Sequence, residues 1–183
     1  MKTDYLLKRE VERVLGCMTE SNRVACKVML HTGLRVGDVL ALKKADIKEQ
    51  FWIVEQKTGK RRRVGLTQEL ISQMNAISGT NYVFEHRTNP NKHRSRQAVY
   101  ADVKRASKAH RLRQNVAPHS FRKAYAVDLL DKYGDIERVK RALNHRSSTT
   151  TMIYAMADAL LEKKLAQRDR KKRGRKPNSV TRS

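Results

Sequence analysis

The sequence predicts an α+β domain that is mainly helical and carries one small antiparallel β-hairpin. Apolar residues recur with the 3.6-residue period of helices through most of the first 165 positions. Residues 51–66 depart from this period and combine β-branched and aromatic residues around a short turn. The chain has 183 residues, which is enough for one hydrophobic core and a tail.

The first half should form three helices and then the hairpin, over residues 7–18, 22–31, 36–42 and 51–66. Leu7, Val11 and Val14 set the helical period of the first segment. Gly33 is the expected stop of the second helix. In the hairpin, the turn sequence KTGK separates FWIVEQ from RRRVGL.

The second half should form further helices, over residues 68–77 and 96–110, from about 120, from about 136, and around 153–161. Ser95 and Asp135 are the expected N-caps of two of them. Residues 86–95 are predicted to be a polar loop because they contain Pro and Asn and no apolar period. The chain beyond residue 165 is basic and lacks an apolar face. The predicted organisation is therefore a domain over 1–165 and a disordered tail over 166–183.

The charge of the chain is one-sided. It has 41 Lys and Arg against 18 Asp and Glu, a formal net charge of +23. Such an excess repels itself unless a polyanion is near, so nucleic acid is the expected partner. A ribosomal-type protein or a merely very soluble protein is the alternative.

Several other classes are disfavoured. The apolar runs are too short for a membrane span, and the N-terminus does not resemble a signal peptide. Cys17 and Cys26 are too few for a disulfide framework or a four-ligand zinc site, so both are expected to be reduced thiols. The histidines lack metal-ligand spacing, and neither a metal nor another cofactor is expected. The protein is expected to be intracellular.

Six polar residues stand out near the ends of predicted elements. They lie in TGLRVGD, in KTGK, in PHSFRK and in LNHRSSTTTMIY, and are Arg35, Lys57, His119, Arg122, His145 and Tyr154. Each alone has an ordinary explanation, as a surface cation, a turn residue, a helix cap or a core tyrosine. Their order and spacing as a set are more specific, with Tyr154 nine residues after His145.

This set resembles the catalytic domain of the tyrosine recombinase (phage integrase) family over about residues 5–160. That family has an arginine in a TGLR segment, a lysine in a β-hairpin, an HxxR box, and a tyrosine nine residues after a later histidine. The resemblance implies that Arg35 and Arg122 hold a DNA phosphate, while His119 and His145 assist by proton transfer or hydrogen bonds. Lys57 would protonate the leaving oxygen, with its basic neighbours, Lys60 above all, as the competing candidates, and Tyr154 would attack phosphorus.

The chain departs from the family pattern at three positions and lacks one part. Asn144 replaces the usual Gly, Lys123 replaces a frequent His, and Asp38 stands where Glu is common and should support Arg35. Members of the family usually carry an N-terminal core-binding domain, whereas this sequence starts at the first helix expected of the catalytic domain. The chain is thus either a fragment or a natural minimal member.

Further basic residues are predicted to bind DNA through its phosphates. They are Lys60, Arg61, Arg62, Arg63, Arg94, Arg96, Lys123, Lys171, Lys172, Arg173, Arg175 and Lys176. The tail sequence KKRGRKP resembles an AT-hook, which binds in the minor groove of DNA. The alternatives are a tail that binds phosphates nonspecifically and a nuclear-import signal.

The function that the resemblance implies is site-specific recombination of double-stranded DNA through a 3′-phosphotyrosine. The expected assembly is a homotetramer on paired sites that associates weakly without DNA. A bacterial, phage or mobile-element origin is expected. A type IB topoisomerase and an inactive DNA-binding relative are the alternatives.

Overall fold

The computed structural model describes residues 3–143. In chain order its elements are α1 (Lys8–Gly16), α2 (Glu20–Thr32), α3 (Val36–Leu40), a 3₁₀ turn (Lys44–Asp46), β1 (Gln50–Val54), β2 (Arg61–Gly65), α4 (Gln68–Ile77), β3 (Glu85–His86), β4 (Asn89–His93), α5 (Arg96–Ala109), α6 (Pro118–Tyr133) and α7 (Ile136–Leu143). The mainly helical α+β class is confirmed. Among these helices, none is long and apolar enough to cross a membrane.

The prediction of a single small sheet is wrong. β1 pairs with β2, and β3 pairs with β4, each as a separate antiparallel pair. Residues 86–95, predicted as a loop, contain most of the second pair. The strand is cryptic in the sequence because β4, NPNKH, is exposed or half-buried along its whole length and so shows no alternation of apolar and polar residues.

Helix ends follow the local signals closely. Ser95 Oγ accepts the Ala98 N–H at 3.1 Å and caps α5. Asp135 Oδ1 accepts the backbone N–H groups of Glu137 and Arg138 at 2.8 and 3.1 Å, at the start of α7. α6 begins two residues before the predicted Ser120, because Pro118 occupies its first turn, where a missing N–H costs nothing.

One large core unites most of these elements. It contains residues from α1 to α6 and from the β1–β2 hairpin, and a smaller apolar cluster joins α6 to α7. Cys26 lies fully buried in the large core, and Cys17 is half-buried; both are free thiols. α6 thus has apolar contacts on two sides, and this fixes the helix that carries His119 and Arg122.

A buried carboxylate ties α5 to the start of α2. Asp102 Oδ2 accepts bonds from Thr19 N, Thr19 Oγ1 and Asn22 Nδ2 at 2.9, 2.7 and 2.8 Å. Burial alone would raise the pKa of Asp102, but the bonds from Asn22, Thr19 and Arg105 outweigh it, and the pKa is lowered. Asp102, in the charged form, therefore holds the N-cap residue Thr19 and the first turn of α2 from a distant part of the sequence.

Candidate active site

Arg35 is placed by the end of α2. Gly33 follows α2 with φ of +67°, and a Cβ at that position would overlap the ring of Tyr125 on α6. The next residue, Leu34, is fully buried. Arg35 is therefore anchored on both sides, by the close approach to α6 and by the start of α3, at which it is the N-cap.

Lys57 lies in the turn between β1 and β2. The Glu55 carbonyl accepts the N–H groups of Thr58 and Gly59 at 3.2 and 2.8 Å, which closes the turn around Lys57. The N–H of Gln56 donates to Asp38 Oδ1 at 2.9 Å, which ties the turn to α3. The Lys57 turn is thus attached to the segment that follows Arg35.

Arg122 and His119 lie on the first turns of α6. Arg122 is 2% exposed, and its Nη2 donates to the Leu143 carbonyl at 2.8 Å. Burial, and then the Arg35 cation, lower the pKa of Arg122 to about 10, so its guanidinium stays charged at neutral pH.

His119 is an exposed residue near the start of α6. Desolvation, and then the charges of Arg122, Lys123, Arg35 and Lys57, lower its pKa to about 4. His119 is therefore neutral at pH 7 in the DNA-free protein.

Three of these predicted residues border one open cleft of about 460 Å³. Its walls include Arg35, Lys57, His119, Asp38, Gln56 and Arg96. Arg122 lies close enough for its charge to act on both His119 and Glu55. Segments far apart in the sequence thus bring four predicted site residues together.

The carboxylate partner of Arg35 differs from the prediction. Asp38, expected to support Arg35, instead accepts the Gln56 backbone N–H. Glu55 takes that role: its Oε2 lies 2.8 Å from Arg35 Nη1, and the side chain is fully buried. The sequence did contain a signal, because Glu55 follows Phe51 and Ile53 at the strand's inward period of two.

Two predicted DNA contacts point inward and are corrected. Lys123 is 7% exposed, and its Nζ donates to the Thr3 carbonyl. The Arg62 side chain is 13% exposed, lies 3.7 Å from Glu55 and donates to the Thr32 carbonyl. Both cations bind protein groups, so neither side chain is presented to DNA.

The other basic candidates of the described region lie on the surface. Arg94 is half-buried, and the exposed ones are Lys60, Arg61, Arg63 and Arg96. Arg61 lies over the Trp52 ring at 5.3 Å, a cation–π contact.

His145, Tyr154 and the tail cations lie outside the described residues. Within residues 3–143, no three His, Cys, Asp or Glu side chains are grouped to hold a metal ion.

Comparison with known proteins identifies the family. The chain matches the model of the phage integrase family over residues 4–160. It is 29% identical over 162 residues to a tyrosine recombinase of Thermosipho africanus, across 82% of this chain and 56% of that protein.

Two solved structures share the fold. XerA recombinase superposes with a TM-score of 0.71 at 22% identity, over 92% of this chain and 64% of that one. XerH site-specific recombinase was solved bound to palindromic difH substrate as a post-cleavage complex. It superposes with a TM-score of 0.68 at 24% identity, over 84% of this chain and 49% of that one. The chain therefore spans only about half to two thirds of the length of these relatives. Since the family match covers most of its sequence, the chain belongs to the phage integrase family.

Proposed function

We propose that this chain carries the catalytic domain of a site-specific tyrosine recombinase, which cleaves and rejoins DNA strands through a 3′-phosphotyrosine. The observation that carries the proposal is that Arg35, Lys57 and His119 border one cleft and that the charge of Arg122 acts on His119 there. The names of the relatives support it, and XerH provides the precedent of a DNA-bound recombinase.

The two arginines suit a phosphate clamp. A guanidinium is planar and permanently charged, so it matches two oxygens of one phosphate. Arg122 is held rigidly by its bond to the Leu143 carbonyl, and Arg35 by Glu55. Fixed cations of this kind stabilise the charge that develops on the nonbridging oxygens in the transition state.

Tyr154 is the proposed nucleophile. Its hydroxyl proton passes to the neutral imidazole of His119, and its Oη forms a bond to phosphorus while the bond from phosphorus to the 5′-oxygen breaks. The departing oxygen takes a proton from Lys57, whose turn borders the cleft. Rejoining is the reverse attack by a 5′-hydroxyl, so the phosphotyrosine conserves the bond energy and no ATP is consumed. His145 is proposed to hydrogen-bond the same phosphate.

His119 is suited to a hydrogen bond or proton transfer rather than to a permanent charge. Since its pKa is about 4 in the DNA-free protein, its imidazole is neutral at pH 7. A neutral ring offers one N–H donor and one nitrogen acceptor. A bound phosphate would raise this pKa, because it favours the charged form.

Double-stranded DNA is the proposed partner. Four copies of the protein are proposed to bind it as a homotetramer on paired sites. The exposed cations Lys60, Arg63 and Arg96, together with the net charge of +23, support the DNA assignment. The basic segment 166–183 is proposed to add phosphate contacts outside the domain.

A suicide DNA substrate tests this function. Its nick, placed just beyond the scissile phosphate, releases a short fragment so that rejoining fails and a covalent adduct accumulates on a denaturing gel. The adduct should form in EDTA, because Arg35, Arg122 and Lys57 supply the cations. Cleavage that requires added magnesium would contradict the mechanism. Relaxation of supercoils without exchange between paired sites would indicate a topoisomerase instead.

A further inference from the structure

Glu55 is a fully buried carboxylate at the centre of the site. Burying a carboxylate is unfavourable unless strong bonds compensate. Here burial would raise the pKa of Glu55, but the bonds from Thr58 and Arg35 and the charges of Arg35 and Arg122 outweigh it. The pKa is lowered, and Glu55 is ionised at neutral pH.

One oxygen of Glu55 contacts both the Arg35 side chain and the hairpin turn. Its Oε2 accepts from Arg35 Nη1 at 2.8 Å and from Thr58 Oγ1 at 2.9 Å. Thr58 is the residue directly after Lys57, and Glu55 lies two residues before it. The same atom therefore joins the guanidinium of the clamp to the turn that carries the proposed acid.

The other oxygen faces a third cation. Arg62 Nη1 lies 3.7 Å from Oε1, and Arg62 also donates to the carbonyl of Thr32, the last residue of α2. This carboxylate is thus surrounded by groups from β2, the turn and the Arg35 segment.

The charge of Glu55 has a cost for catalysis. The carboxylate partly cancels the Arg35 charge that attracts a phosphate. If position 55 served stability alone, an apolar residue of similar volume could fill it. The contact with Glu55 uses Nη1 of Arg35, and the guanidinium has further N–H groups for a phosphate. This arrangement favours a role in geometry.

We propose that Glu55 is a positioning residue that holds the Arg35 guanidinium and the Lys57 turn in one fixed arrangement beside the cleft. The inference rests on the proposed recombinase function. Glu55 does not touch DNA; it acts through Arg35, and through Thr58 on Lys57.

The test compares single-turnover cleavage of two suicide substrates. One has the normal 5′-oxygen at the scissile phosphate, and the other has sulfur there, a leaving group that needs no acid. The proteins are wild type, Glu55→Gln, Thr58→Val and a control, Glu12→Gln. The control makes the same chemical change at an exposed position on α1. DNA affinity and melting temperature are measured for each protein.

Glu55→Gln should cleave the oxygen substrate about 10²-fold more slowly, since small misplacements of catalytic groups cost this much. Its DNA affinity should stay within about twofold of wild type, because binding rests on many phosphate contacts. Sulfur should recover part of the rate, the part that depends on Lys57. Thr58→Val removes the bond from the turn to Glu55 at 2.9 Å and a long bond from Lys60 N at 3.4 Å, and it leaves the bond between Glu55 and Arg35 in place. Sulfur should therefore recover nearly all of its loss. Glu12→Gln should match wild type throughout.

Three results would overturn the role of Glu55. One is a Glu55→Gln rate on the oxygen substrate within about twofold of wild type. A second is a loss shared equally by both substrates in Glu55→Gln and in Thr58→Val. If Glu55→Gln does not fold, Thr58→Val decides alone. The third overturning result is then a Thr58→Val protein whose ratio of oxygen-substrate rate to sulfur-substrate rate equals that of wild type. A wild-type protein that forms no adduct with either substrate overturns the proposed function itself.

Discussion

Replacing Gly33 by alanine should displace the Arg35 segment from α6. Gly33 has φ of +67°, and a Cβ there would overlap the Tyr125 ring. Gly134, at the end of α6, is a matched control because its φ is +64° and a Cβ would meet no atom within 4 Å. The two alanine variants therefore share the conformational cost and differ in the clash.

The magnitudes follow from these two terms. A left-handed conformation costs an L-residue about 1–2 kcal/mol, which is the whole expected effect of Gly134→Ala. Gly33→Ala adds the overpacking of a filled site, a further 1–3 kcal/mol or so. Gly33→Ala should thus lower the free energy of unfolding by roughly 2–5 kcal/mol.

Urea unfolding monitored by circular dichroism measures both variants against wild type. A third variant, Gly33→Ala with Tyr125→Ala, removes the ring and should cancel the clash, so that the two substitutions are not additive. Equal destabilisation by Gly33→Ala and Gly134→Ala would show that the Tyr125 ring does not oppose a side chain at position 33. So would strict additivity in the double variant.

Three further predictions concern stability, pH and the tail. Asp102→Ala should lower the free energy of unfolding by about 3 kcal/mol, measured by urea unfolding, because it leaves the donors at the start of α2 without their charged acceptor. The pKa of His119 is lowered from 6.5 to about 4, so its contribution to stability is complete above pH 6.5 and declines as the pH falls towards 4. His119→Gln should flatten the dependence of the free energy of unfolding on pH between these values, and an unchanged pH dependence would contradict the shift. Deleting residues 167–183 should weaken DNA binding and flatten its salt dependence by about 0.9 in log–log slope for each lost phosphate contact, and an unchanged slope would mean that the tail does not touch DNA.

The helices and the first hairpin were predictable because they carry local signals. The 68–77 helix matches α4 (Gln68–Ile77), and Gly33, Ser95 and Asp135 act where their types indicated. The β3–β4 pair was missed because an exposed hairpin needs no apolar face, and pairing of backbone groups leaves no trace in side-chain type.

The site was predictable as a set of residue types but not as a network. Arg35, Lys57, His119 and Arg122 were found by their motifs, whereas Glu55 became visible only when its partner Arg35, 20 residues away, was in place. Likewise, Lys123 and Arg62 are recognisable in the sequence as cations, but nothing in it shows that their side chains face the interior. Side-chain direction at such positions depends on tertiary contacts.

The central claim is that a tyrosine of this chain becomes covalently joined to DNA. The direct measurement is to trap the adduct on a suicide substrate, digest it with protease and nuclease, and identify the modified residue by mass spectrometry. We expect a phosphodiester on Tyr154 and no adduct from Tyr154→Phe, which should still bind the same DNA. An adduct on another residue, or one that survives in Tyr154→Phe, would contradict it.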